Sequence, residues 1–193
     1  MSFYIDRYVQ VGYNVYGCEL ALLETSGPFG LNDGNREIKD YIKTSYGLLA
    51  MLHSVARKYC FADVKVFKKF NVYFVQAANK NITIWRFCLC DAKLYSIYRC
   101  SSSEVTLNYK ESEDCLKNIL NNMWAFNTYL VESSEILKQL KVSHESRKSL
   151  VENRRPGHSR IIKLDLHLQE VAEVKLNSAE LVSPEELLMT SSP

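Results

Sequence analysis

The stretch NVYFVQAANKNITIWRFCLCDAKLYSIYRC, Asn71 to Cys100, constrains the fold more than any other part of the chain. It is dense in β-branched and aromatic residues and is broken only at Asn79-Lys80 and Asp91-Ala92. Connections that short join antiparallel neighbours, because a parallel pair needs a crossover of a dozen or more residues. Strands at 71–78, 81–90 and 93–100 therefore form a meander. In the middle strand Ile82, Ile84, Arg86 and Cys88 share one face, and Thr83, Trp85, Phe87 and Leu89 share the other. Both faces are mostly apolar, which predicts an interior strand covered on both sides.

Two long helices flank the meander. From about Asn35 to Tyr59, Ile38, Ile42, Leu49, Leu52 and Val55 recur at helical spacings. The preceding turn SGPFGLNDGN offers Asn32, Asp33 or Asn35 as the cap. Gly47 inside this helix is costly unless the helix packs closely on a sheet there. A second helix over Ser112–Val142 carries the stripe Leu116, Ile119, Leu120, Met123, Phe126, Leu130, Leu137 and Leu140, with Asn121, Asn122 and Asn127 off it. Upstream, FYIDRYVQVGYNVYGCELALLE reads as a hairpin with strands near 3–11 and 16–24 around Gly12-Tyr13-Asn14. The apolar run Leu20–Leu23 predicts that its second strand is central. The order β-β, helix, β-β-β, helix, tail predicts an α/β (α+β) fold, with a central mixed sheet and long helices packed on it.

Past Ser143 the pattern breaks down. RRPGHS reads as a linker, IIKLDLHLQEVAEVKLN as a strand or an amphipathic helix, and SPEELLMTSSP as a short terminal helix. One domain over 1–143 and a weakly ordered basic tail over 144–193 are expected. The 193 residues suffice for one domain with a real core.

Several function classes lose support at this point. The six cysteines, Cys18, Cys60, Cys88, Cys90, Cys100 and Cys115, form no CxxC pair, and no histidine lies near them at ligand spacing. They read as buried free thiols in a reducing compartment. The start MSFYIDRYVQVG has no apolar leader core, and no apolar run approaches the ~18 residues of a membrane span. An intracellular location, cytoplasm or nucleus, and no membrane partner are expected. The net charge of +2 argues neither for nor against nucleic acid. Two segments bear on that partner. RKYCFADVKVFKKF, Arg57 to Phe70, alternates basic and aromatic residues; it is either a nucleic-acid groove or a helix end followed by the approach to a strand. RKSLVENRRPGHSRIIK, Arg147 to Lys163, is either a solvated tail or a phosphate-binding segment. His53, Trp85 and Trp124 read as packing residues rather than as a base or as stacking platforms.

The carboxylates Asp6, Glu19 and Glu24 lie on or beside the first hairpin. Asp6 sits on its first strand, Glu24 ends its second, and Ser26 follows on the same face if the strand continues. Such a set can converge at one end of a sheet, hold Mg²⁺ through oxygen ligands and activate water for phosphodiester attack. The plainer alternatives are an Asp6 paired with Arg7 or another surface cation, a Glu24 hydrogen-bonded to the turn at Thr25–Gly27, and a Glu19 on the rim.

Asp6, the hairpin, LLETS in place of a strand ending in (D/E)xK, the helix NREIKDYIKTSYGLLAMLHSVARKY and the strand NVYFVQA together resemble the PD-(D/E)xK nuclease-like superfamily. ETSGPFGLND…KDYIKTSYGLLAMLHSVARKY and FKKFNVYFVQAANKNITIWRF resemble a large family of uncharacterised mucoralean fungal proteins. The likeness covers roughly residues 3–142. It implies a restriction-endonuclease-like fold, Mg²⁺ held by Asp6 and Glu24, and a lysine two residues after Glu24. Ser26 stands at that position. It can donate a hydrogen bond but brings no charge to the scissile phosphate. Lys39 and Lys43, four apart on the next helix, are either a substitute source of the cation or a solvated face. The helix that precedes the first strand in the superfamily has no counterpart in this sequence. Three readings follow: a degenerate, catalytically inactive nuclease-like module for binding or structure; an active Mg²⁺-dependent DNA endonuclease using Asp6, Glu24, Ser26 and Lys43; and an interaction module whose helix over 112–142 pairs with another protein.

Overall fold

A computed structural model describes residues 16–106, 108–152 and 163–168. The expected strand over 3–11, with Asp6 on it, lies outside the described residues, as do the linker and most of the C-terminal tail.

The elements are β1 (Ala21–Ser26), α1 (Gly34–Lys58), α2 (Val64–Phe67), β2 (Asn71–Ala78), β3 (Asn81–Asp91), β4 (Leu94–Glu104) and α3 (Ser112–Glu152), with single 3-10 turns at Tyr109–Glu111 and Leu164–His167. The sheet runs β1-β2-β3-β4. β1 lies parallel to β2, and α1 with α2 forms the crossover between them. β2, β3 and β4 form the antiparallel meander, so the sheet is mixed and the fold is α/β. Ile84 pairs with Ser101 and Trp85 with Arg99, which leaves Cys100 as an extra residue bulging from β4. Among the described residues β1 is an edge strand.

One helix covers each face of the sheet. Asp33 caps α1, its carboxylate accepting from the Arg36 amide at 3.1 Å. Leu48, Leu52 and Val55 pack α1 on the sheet and are 0–1% exposed. A Cβ at Gly47 would stand 2.8 Å from Leu22 Cδ1, which is why a helix-weakening glycine serves here. On the opposite face Tyr73 stacks on Tyr129 at 5.9 Å and meets Phe126 edge-on at 6.0 Å, both from α3.

α3 departs from its expected form in three ways. It does not end near Val142 but continues to Glu152. Residues 143–152 lack an apolar stripe, yet no helix breaker precedes Pro156. Ion pairs Lys141–Glu145 and Lys148–Glu152 support the extension. So do contacts to the body, where the Asp63 amide donates to Ser143 Oγ and the Phe61 amide to His144 Nδ1. Second, its buried apolar residues begin only at Phe126. The first turns sit over β4 through polar contacts: Ser101 Oγ donates to Asn122 Oδ1, Asn122 Nδ2 to the Ile82 carbonyl and Ser103 Oγ to the Asn118 carbonyl. Buried Asn122 therefore belongs to the packed face. Third, Leu116, Leu120 and Trp124 point outward, and Trp124 is 76% exposed rather than in the core.

Part of the expected loose tail is also packed. Leu164 and Leu168 are buried, the Leu164 amide donates to the Cys60 carbonyl, and the Lys93 amide donates to the His167 carbonyl. Leu164 opens the 3-10 turn and Leu168 follows it, and the turn packs against α1.

Candidate functional site: a polar cluster at the end of the parallel strands

β1 and β2 are the parallel pair, and in open α/β sheets ligands bind outside the carboxyl ends of such strands. The register sets Glu24 beside Gln76 and Ser26 beside Ala78. Alternation places Leu22, Glu24 and Ser26 on one face, and Leu22 meets α1, so this end of the sheet faces α1. Ser26 is 1% exposed and Gln76 is 8% exposed. The Gln76 side-chain amide donates to Ser26 Oγ at 3.5 Å, and Trp85 Nε1 donates to Gln76 Oε1 at 3.3 Å. Tyr41 of α1 packs edge-on against Trp85, with ring centres 5.2 Å apart, and burial pushes its phenol pKa up. A relay of neutral polar groups thus closes over Ser26.

α1 supplies the roof. Its sheet-facing positions are Glu37, Asp40, Tyr41 and Thr44 over the first turns, then Leu48, Met51, Leu52 and Val55. Among the described residues Glu37 Oε1, Asp40 Oδ2 and Thr44 Oγ1 are buried without a hydrogen bond, and Arg36 Nε lies 3.7 Å from Asp40 Oδ2. The Arg36 side chain also runs close to Gly27, just beyond β1. Carboxylates, one arginine and neutral polar groups therefore share a partly desolvated cluster at this end of the sheet.

Of the residues expected to form a site, Glu24 and Ser26 do share one face at one strand end. Lys39 and Lys43 are both exposed, and Lys39 sits on the side of α1 away from the sheet. Glu19 precedes β1 and is half-buried. Among the described residues no group of three His, Cys, Asp or Glu side chains is placed to hold a metal ion. Sequence reasoning missed Gln76, Glu37, Asp40 and Thr44. The signal available was Glu37, Asp40 and Thr44 at spacings of three and four, on the stripe that Leu48, Leu52 and Val55 continue.

The basic-aromatic segment runs from the end of α1 through α2 to the start of β2. Tyr59, Phe67 and Phe70 are buried, and Lys68 pairs with Asp91 at 2.7 Å. Near the start of β1 lies a recess of about 340 Å³ lined by Tyr16, Lys58, Tyr59, Lys141, His144 and Glu145. Its cations are engaged within the chain. Lys58 donates to the Tyr16 carbonyl, and Lys141 lies 5.2 Å above the Tyr16 ring and 4.0 Å from Glu145. Burial pushes the Cys18, Cys88 and Cys100 thiols up, which disfavours a thiolate nucleophile. His53 is buried against Tyr95, 3.2 Å from its hydroxyl, and burial lowers its pKa, as suits a packing residue. No described helix is long and apolar enough to cross a membrane. No protein-family model, curated protein or solved structure matches the chain.

Proposed function

We propose that this chain has a restriction-endonuclease-like fold that has lost catalysis and serves as a binding or structural module. The observation that carries this reading is the state of Ser26. At the place where a nuclease of this type sets a lysine against the scissile phosphate, the chain has a neutral hydroxyl, 1% exposed and held by the Gln76 amide. A hydroxyl supplies none of the charge that stabilises a phosphoryl transition state. The α1 lysines that would substitute are exposed.

Ser26→Lys, which rebuilds the acidic-x-Lys pattern, tests how closed this position is. The added side chain must displace the Gln76–Trp85 relay, and overpacking of this kind costs about 1–3 kcal/mol. The expected result in a urea melt is that loss, with no gain of Mg²⁺-dependent DNA cleavage. A variant as stable as the parent that also cleaves DNA would mean that the machinery is intact but for one residue.

A further inference from the structure

We infer that the outward face of α3 is the interface of an antiparallel homodimer. From Asn118 to Val131 the helix carries no charged residue. Leu116, Leu120, Trp124 and Val131 recur at spacings of four and seven on one side and are 56%, 59%, 76% and 53% exposed. Trp124 alone leaves on the order of 150 Å² uncovered. An apolar stripe of this kind, broken by exposed Asn127, marks an interaction surface, unlike scattered exposed leucines.

Charge placement selects the occupant. Lys117 and Glu135 lie five full turns apart, hence at one azimuth beside the stripe. They are opposite in sign and bracket its neutral span. A two-fold axis perpendicular to the helix near Phe126 brings Lys117 of each copy against Glu135 of the other. Parallel pairing would set Lys117 against Lys117. The existing partners of these residues do not prevent the exchange. Lys117 pairs with Glu113 at 2.9 Å and Glu135 with Lys138 at 2.8 Å, both on the exposed surface of their own helix, where ion pairs contribute little. The same axis places the two Trp124 indoles side by side at the centre, where an aromatic anchor contributes most. The stripe is therefore complementary to itself, as an isologous interface requires. The inference is independent of whether the cluster has ever cut DNA.

Sedimentation equilibrium of the full chain across the micromolar range tests it. The expected mass rises with concentration from 22.3 kDa to twice that value. Trp124→Ser and Leu120→Ser, both at exposed positions, are each expected to weaken dimerisation about tenfold or more with unchanged far-UV circular dichroism. Lys117→Glu is expected to weaken it several-fold, and adding Glu135→Lys to restore it. A strict monomer at every concentration would overturn the proposal and leave the stripe to a different chain. A dimer indifferent to both serine variants would overturn it too. A double swap that fails to restore the dimer would rule out the antiparallel register.

Discussion

Phe74→Ala is expected to lower the unfolding free energy by about 3–5 kcal/mol, the range for truncating a fully buried phenylalanine. Phe74 is 0% exposed and lies on β2, which is hydrogen-bonded on both sides. Leu22 flanks it on β1 and Trp85 on β3. All three face α1, so the side chain is enclosed by two strands and a helix. Neither strand nor helix can collapse into the space without breaking sheet register or the Gly47–Leu22 contact. Against a typical total of roughly 5–15 kcal/mol, such a loss leaves the domain marginal. Leu94→Ala, at a position 60% exposed on the outer strand, is expected to stay within about 0.5 kcal/mol. Urea midpoints at unchanged slope measure both. A cost below about 1 kcal/mol for Phe74→Ala would show that α1 does not pack on this face.

The second large effect is alkaline lability. Tyr73 is fully buried between β2 and α3, and its hydroxyl accepts a hydrogen bond from Ser133 Oγ at 3.3 Å. Burial raises its pKa from 10.0 to about 12, with the Ser133 hydrogen bond and nearby Arg86 partly opposing. A phenol whose folded pKa is raised binds its proton more tightly when folded. Its contribution is fully present below pH 10 and is lost as pH rises toward about 12, where the unfolded chain has already lost the proton. The loss is on the order of 2–3 kcal/mol, from 1.36 kcal/mol per pKa unit. The raised thiols of Cys18, Cys88 and Cys100 act in the same direction, so the comparison that isolates Tyr73 is Tyr73→Phe. That variant is expected to be less stable at neutral pH, because Ser133 loses its acceptor, and to have a flatter stability profile above pH 10. A parent and variant with parallel alkaline slopes would contradict the assignment.

Local signals made much of this fold legible in the sequence. The meander from Asn71 onward was readable because its turns are short and its strands alternate. The α1 limits were readable because the turn before it offers three capping residues, of which Asp33 is the cap, and the helical spacing of apolar residues runs to Val55. Gly47 was readable because a glycine in a helix interior needs a close neighbour, and Leu22 is that neighbour. What escaped was set by contacts between distant segments. The last turns of α3 have no apolar periodicity and are held by Phe61 and Asp63, far away in sequence. Trp124 belongs by composition in a core, yet polar Asn122 takes the inward position because β4 presents serines and carbonyls to it. The cluster was half legible. Alternation alone pairs Glu24 with Ser26, whereas Gln76 depends on the parallel register of β1 and β2. Glu37, Asp40 and Thr44 escaped notice because polar residues on a helix usually face solvent.

The central proposal is a nuclease-like fold in which neutral Ser26 stands at the position of the expected lysine. Its most direct test is a time course of supercoiled plasmid with Mg²⁺ or Mn²⁺, comparing the parent chain, Glu24→Ala and a no-protein control. The account predicts that all three leave the plasmid equally intact. Metal-dependent nicking by the parent that disappears in Glu24→Ala would contradict it and assign the chain an active nuclease site.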